Sequence, residues 1–392
     1  MVSKPHPDQD SDIRIGILTS GGDAQGMNAA VRAVARSAIV LGATPYAIRE
    51  GWYGAVHGGD LIHQLSWGDV SNVISKGGTV IGTALSPEFR ERAGMKQAVA
   101  NLINCEIDRL VSIGGDGSLS GTEELRQLWP ELVKELAKEG TITAAQAQAH
   151  PHLRVAGLVG SIDNDMTGTD MTIGTDSALN RIVDALDQLS STAASHQRTF
   201  VVEVMGRNCG YLALMSAVAG GCDYVLIPEM PPDSGWEDDM CKKLSEGRKH
   251  GRRDSIVIVA EGATDRTGAP ISAQYVAEAI EARTDESARV TILGHIQRGG
   301  TPSAYDRWMP TLLGYAATKE VLEAGCADPA KVIGVRRNRI ARLDLTKAVA
   351  QTRNVRQLVK DGKYVEAVAS RGRSFEAMVE IFRILSTPPS LL

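Results

Sequence analysis

No apolar run in the chain reaches the roughly 18 to 20 residues needed to span a bilayer, and no signal-peptide core lies behind the polar start MVSKPHPDQDSD. These absences predict a soluble, cytoplasmic protein, with no membrane partner and with residues 1–11 as a disordered tail. A basic excess is missing too. Against 42 Lys and Arg stand 47 Asp and Glu, a formal charge of -5, which argues against a nucleic-acid surface. The cysteines, Cys105, Cys209, Cys222, Cys241 and Cys326, are odd in number and contain no C-x-x-C pair. A disulfide framework and a zinc site are therefore not expected, and buried thiols are. Aromatic residues make up only 4% of the chain, so its cores must be built from aliphatic side chains.

Glycine, by contrast, is abundant, with 40 in 392 residues. At roughly 150 residues per domain, this length suggests about two to three lobes. Short apolar, β-branched runs recur: IRIGILT (13–19), RLVSIG (109–114), RVAGLV (154–159), TFVVEVM (199–205), YVLIPE (224–229), SIVIVAEG (255–262) and RVTILGH (289–295). Runs apolar on both faces suit parallel strands covered by helices. Helical stretches lie between them; in SALNRIVDALDQL, Ala178, Ile182, Leu186 and Leu189 keep near-3.6 spacing. The predicted fold class is α/β, with two Rossmann-like three-layer lobes, mostly parallel sheets and a cleft between the lobes. Residues 123–150 and the tail from about 331, with its basic stretch VRRNRIAR and more helix, read as packing or partner surfaces.

Nearly every strand ends in polar or glycine residues: TSGGD, GGDG, GSIDND, MGR, PE, EGA and GHIQRGG. Ligands of open α/β sheets sit beyond the carboxyl ends of the strands, so these ends are candidate walls of one site or of two facing ones. In TSGGDAQGMN, Gly21, Gly22 and Gly26 follow a strand and open a helix. Free N–H groups and the helix dipole favour an anion there, although a plain tight turn has the same composition. The loop fits neither G-x-x-x-x-G-K-[ST] nor G-x-G-x-x-G. IGGDGS (113–118) repeats the design with Asp116, Gly117 and Ser118. An acid in a phosphate cradle calls for a cation such as Mg²⁺, so Asp116 is either a metal ligand or a helix-capping aspartate. A third glycine cluster, SKGGTVIG (75–82), points to a polyphosphate. Asp163, Asn164 and Asp165, packed together in LVGSIDNDMTGTD (158–170), leave three uses open: a metal, a proton or a polar turn.

Taken together, LTSGGDAQGMNAAVR, IGGDGS, GSIDNDMTGTDMTIGTDSA, SHQRTFVVEVMGRNCGYLAL, AEGA and LGHIQRGGTPSAYDR resemble the 6-phosphofructokinase family over about residues 13–325. The helical segment at 123–150, GTDMTIGTDSAL and RGRSFEAM look closer to one half of the doubled eukaryotic enzymes than to the shorter bacterial chains, implying a single unfused half. The implied boundaries are 12–174 plus about 297–347 for a nucleotide and Mg²⁺ lobe, and about 175–296 plus 348–392 for a sugar-phosphate lobe.

The resemblance implies ATP-dependent phosphorylation of the C1 hydroxyl of fructose 6-phosphate. Asp163 would be the base, Asp165 would orient the site or assist at the metal, and Ser161 and Arg207 would bond the moving phosphoryl group. Asp116 would hold Mg²⁺, and Gly21, Arg90, Gly117 and Ser118 would line the ATP site. Met205, Gly206 and Glu261 match sugar contacts, and His295 and Arg298 match ligands of the 6-phosphate. Arg198 and Arg289 match arginines reaching that phosphate from a neighbouring subunit, which implies shared active sites and, from the family, a homotetramer. Arg32, Arg36, Arg252 and Arg253, with Asp223, match a site for phosphorylated effectors, although Ser190 replaces an arginine there.

Two departures bear on chemistry. Pyrophosphate-using relatives carry an aspartate and a lysine where this chain has Gly117 and Gly160, so the implied donor is ATP. Where the family reads G-S-A-R, this chain reads GTAL, with Leu85 in place of an arginine near the transferred phosphate; Lys76 and Arg90 are the candidate substitutes. The competing expectations are a pyrophosphate-dependent enzyme and a non-catalytic regulatory subunit.

Overall fold

Five of the seven predicted apolar runs become strands buried along most of their length. The computed structural model describes residues 13–325 and 328–391; the expected N-terminal tail and Cys326 lie outside the described residues. In chain order the strands are β1 (Arg14–Ser20), β2 (Thr44–Ile48), β3 (Ile62–Gln64), β4 (Ile107–Gly114), β5 (Arg154–Val159), β6 (Thr199–Val204), β7 (Tyr224–Leu226), β8 (Ser255–Ala260), β9 (Ala288–Ile292), β10 (Lys331–Arg336) and β11 (Arg339–Asp344). The chain divides into two compact units. One comprises the residues up to Ser161, Met166–Asp176 and Arg298–Ala350; the other comprises Ile162–Asp165, Ser177–Gln297 and Gln351–Leu392.

The first unit holds a seven-stranded sheet of order β11-β10-β5-β4-β1-β2-β3. Its five inner strands run parallel, while β3 and β11 pair antiparallel at the edges. The helix Asp116–Lys138 buries Leu119, Leu125, Trp129, Leu132 and Leu136 in a core shared with Ile107, Leu110, Val155 and Val332. The amphipathic segment read as a packing surface is thus a core helix, and the indole of Trp129 donates to the His150 carbonyl at 2.9 Å. The basic stretch 335–342, read as peripheral, instead closes a β-hairpin on the sheet. Arg336 pairs with Arg339 across the turn Arg337–Asn338, where both φ values are positive, 52° and 60°, as a two-residue hairpin of type I′ requires. Asp170 anchors that turn by accepting from the Arg337 N–H at 2.7 Å.

The second unit holds a four-stranded, wholly parallel sheet of order β7-β8-β6-β9. Val201, Leu226, Val257 and Val259 pack with Trp236, Met240 and Leu244 of the helix Trp236–Lys249, and with Val276 and Ile280 of the helix Ala273–Arg283. The run at 224–229 stops being strand at Leu226, because Ile227 to Glu229 turn away from the ladder. Cys105, Cys209, Cys222 and Cys241 are free thiols, and all but Cys105 are buried. No helix among the described residues is long and apolar enough to cross a membrane.

Trp129 is the sternest test of the first core, since it is fully buried. Trp129→Ala should lower the stability of that unit by about 3–5 kcal/mol, read as an earlier urea transition by circular dichroism. A loss below about 1 kcal/mol would mean that the core is not organised around this indole.

Candidate active site

Three loops converge at the carboxyl ends of β1 and β4 in the first unit. After β1 the chain turns through Gly26, whose φ of +105° and whose approach to the Asp306 carbonyl, 2.5 Å from an added Cβ, exclude a side chain. The helix Met27–Val40 starts directly behind it. Asn28, at its first turn, takes the third glycine cluster with both ends of its amide: Nδ2 donates to the Lys76 carbonyl at 2.9 Å and Oδ1 accepts from the Val80 N–H at 2.7 Å. Thr83 donates to the Gly21 carbonyl at 2.9 Å. A Cβ on Gly21 would stand 3.1 Å from Ser118 Oγ, so the loops after β1 and β4 adjoin.

Asp116 opens the helix Asp116–Lys138, with Gly115 in extended backbone before it. Ser120 Oγ lies 2.7 Å from the Asp116 carbonyl and 3.3 Å from its carboxylate. A side chain at Gly117 would enter open space, whereas one at Gly160 would meet Met27 Cε at 2.5 Å. No cluster of three or more metal-ligating side chains occurs among the described residues. One carboxylate beside glycine-rich backbone fits a magnesium ion held mainly by phosphate oxygens rather than by a protein cage.

Ser161 is buried, donating its N–H to the Ile173 carbonyl at 3.1 Å, while its own carbonyl accepts the hydroxyls of Thr172 and Thr175. Arg298 belongs to this unit too, and its guanidinium donates to the Asp23 carbonyl at 2.8 Å. Arg90 is exposed on a short 3₁₀ turn. Leu85 is 84% exposed, an apolar side chain standing in water.

The second unit gathers the proposed reacting groups. Asp163 is 3% exposed, and Arg207 Nε stands 3.8 Å from its Oδ2. The backbone that presents Arg207 is itself clasped by Glu261. That carboxylate accepts from the N–H of Arg207 at 2.5 Å and of Gly206 at 3.3 Å. Gln297 accepts from the N–H of Met205 at 3.2 Å. Gly262 makes the close approach possible, because a Cβ there would lie 1.8 Å from the Arg207 carbonyl. Met205, Gly206, Arg207, Glu261 and Asp163 are therefore one constellation at the carboxyl ends of β6 and β8.

Arg198 and Arg289 are elsewhere. Arg198 precedes β6, and Arg289 pairs with Phe200 in the β9 register, so both lie near the amino end of the sheet. At about 3.3 Å per residue along β6, Arg289 lies roughly 17 Å and Arg198 roughly 23 Å from Met205. Arg289 also lies 3.6 Å from Glu281. His295 is exposed on the 3₁₀ turn Gly294–Arg298.

Of the candidate effector residues, the structure joins Asp223 to Arg252 at 2.8 Å, and Arg253 donates to the Ala194 carbonyl at 3.3 Å. Burial pushes the Asp223 carboxyl up to about 6 despite Arg252 and the Ile256 N–H, which pull it down. Arg32 and Arg36 belong to the first unit, where Arg36 stacks on Trp67 with its guanidinium carbon 4.2 Å from the ring centre. Ser190, in place of an arginine, donates to Asp254 at 2.8 Å.

Reading residues alone missed four contributors: Glu229, Gln297, Arg356 and Arg371. Glu229 closes a strand-end dipeptide and Arg371 opens RGRSF; neither carries a local pattern that names its partner. Both ends of Asp165 are held, the carboxylate by Arg356 at 3.0 Å and the carbonyl by Arg371 at 3.2 Å.

The phosphofructokinase family profile matches residues 14–321. The liver-type ATP-dependent 6-phosphofructokinase of Bos taurus is 52% identical over 372 residues, which are 95% of this chain and 48% of the relative. The ATP-dependent 6-phosphofructokinase of Aspergillus fumigatus is 51% identical over 376 residues, 96% of this chain and 46% of the relative. The chain thus spans about half the length of the curated relatives it matches. The structure of phosphofructokinase from Saccharomyces cerevisiae superposes with a TM-score of 0.93 at 46% identity, covering 95% of this chain and 50% of that one. A pyrophosphate-dependent phosphofructokinase from Marinobacter aquaeolei shares the fold, with a TM-score of 0.69 at 20% identity. With its motifs, its two sheets and these relatives in agreement, the chain belongs to the phosphofructokinase family.

Proposed function

We propose that this chain transfers the γ-phosphoryl group of ATP to the C1 hydroxyl of fructose 6-phosphate, forming fructose 1,6-bisphosphate and ADP. The observation that carries the reading is the buried carboxylate of Asp163 beside the guanidinium of Arg207, 3.8 Å apart, on a backbone that Glu261 fixes. Transfer to a sugar hydroxyl needs an acceptor for its proton and donors for the charge on the moving group. Asp163 accepts the hydroxyl proton as the oxygen bonds to phosphorus and the bond to the ADP oxygen breaks. Arg207, 64% exposed at its side chain, turns its free edge to the phosphoryl oxygens. Ser161 supplies a hydroxyl, and Glu261 and Met205 orient the sugar. Asp116 is the residue to hold Mg²⁺, which when bound neutralises phosphate charge.

ATP is favoured as donor because Gly117 leaves open space where a pyrophosphate-type aspartate would stand, and Met27 fills the space at Gly160. His295 and Arg298 are assigned to the 6-phosphate. Arg198 and Arg289, about a strand length from Met205 within the chain, serve that phosphate from another copy, in a homotetramer. Asp223, Arg252 and Arg253 are the part of an effector site that the second unit supplies. The exposed Leu85 favours one second reading, a non-catalytic regulatory subunit.

Asp163→Ser should lower kcat by about 10² to 10⁴, with binding of fructose 6-phosphate largely kept by calorimetry; near-normal turnover removes Asp163 from the base role. Leu85→Arg should raise kcat by at least about tenfold, toward the 10² to 10³ that one preorganised donor supplies. Unchanged turnover in that variant would show that Lys76 or Arg90 already fills the position, or that no donor is needed there.

A further inference from the structure

The last segment of the second unit, Gln351–Leu392, lies beyond the 14–321 span of the family match, yet two of its arginines reach the loops that carry Asp163 and Arg207. Arg371 follows the helix Tyr364–Ser370, and its side chain is 7% exposed. Its guanidinium serves three acceptors from three separate segments. Nε donates to Glu229 at 2.9 Å, Nη1 to the Asp165 carbonyl at 3.2 Å and Nη2 to the Asn208 carbonyl at 3.0 Å. Glu229 is fully buried and in turn accepts from the Gly210 N–H with both oxygens, at 3.1 and 2.9 Å. Arg356 completes the arrangement by holding the Asp165 carboxylate at 3.0 Å.

These loops need holding. Asn164, next to Asp163, has φ of 51°, and Arg207 has φ of 50°. Residues with a Cβ occupy this left-handed region reluctantly unless their surroundings over-determine it. The neighbours of both strained residues, Asp165 and Asn208, give their carbonyls to one planar, rigid fork. A lysine keeps the charge but presents a compact ammonium on a flexible stem, and it cannot hold three acceptors along fixed directions.

We infer that Arg371, assisted by Arg356, is a positioning residue that locks the base loop to the Arg207 loop and so fixes the distance between Asp163 and Arg207. The inference rests on the proposed reading of those two residues as the reacting pair. Arg371 touches no reacting atom; it acts through the Asp165 and Asn208 backbone and through Glu229. The burial that would weaken its charge is outweighed by the carboxylates Glu229 and Asp165, which hold it firmly protonated.

The test uses the full chain with Arg371→Lys and, separately, Arg356→Gln, whose side chain is 36% exposed and whose loss leaves the core intact. For Arg371→Lys, kcat should fall about 10- to 100-fold while KM for both substrates stays within about threefold, the mark of misplaced reacting groups rather than lost binding. In both variants, hydrogen exchange by mass spectrometry should accelerate in peptides covering 162–166 and 206–210, with protection elsewhere in the second unit kept. Unchanged exchange in those peptides overturns the inference whatever kcat does, and so does loss of protection across the whole unit. If the unsubstituted chain forms no product, the functional reading fails and exchange alone decides the lock. If Arg371→Lys does not fold, Arg356→Gln decides it by the same peptides.

Discussion

The second unit is organised by one constraint: a carboxylate buried at a strand end must be compensated where it lies. Leaving such a charge without a partner costs several kcal/mol; Asp163 and Glu229 are buried in this way, with half-buried Asp165 and exposed Glu261 beside them at the ends of β6 to β8 and in the loop Ile162–Asp165. Each is answered differently. Glu261 takes the N–H groups of Gly206 and Arg207, and Glu229 takes the Gly210 N–H and Arg371. Asp165 takes Arg356, and Asp163 has Arg207. Glu261 and Glu229 use up backbone donors and a buried guanidinium, which helps hold the left-handed turns at Asn164 and Arg207. The Arg207 side chain stays mostly exposed, the position at which the proposed function calls for a cation.

In the first unit the problem is reversed. Its strand ends present glycine, hydroxyl and N–H groups, which favour anions, with the acids Asp23 and Asp116 set among them. Asn28 and Thr83 fasten the segment of the third glycine cluster to the loop and helix after β1. In the proposed function, a phosphate chain and a cation would supply the charges that this surface lacks.

Much of this was legible in the sequence. The seven long apolar runs all became strands, because β-branched residues on both faces admit little else between helices. Four strands escaped. β2 begins Thr-Pro and β3 is three residues long; β10 sits beside a basic cluster; β11, an antiparallel edge, carries arginines on its open side. Charge there reports solvent on one face, not the absence of pairing. The motif residues Asp163, Arg207, Met205 and Glu261 were legible because each lies just past the carboxyl end of an apolar strand, β5, β6 or β8. Arg356 and Arg371 were not, because their partners lie roughly 140 to 210 residues away in sequence and no local period announces a contact of that range.

The central claim, that this chain by itself moves a phosphoryl group from ATP to fructose 6-phosphate, is tested most directly by a product assay. Purified chain, fructose 6-phosphate and Mg²⁺ are divided between ATP and pyrophosphate, and fructose 1,6-bisphosphate is measured. The account predicts product with ATP and none with pyrophosphate. Product with pyrophosphate alone would contradict the reading of Gly117 and Gly160, and none with either donor would contradict catalysis by this chain.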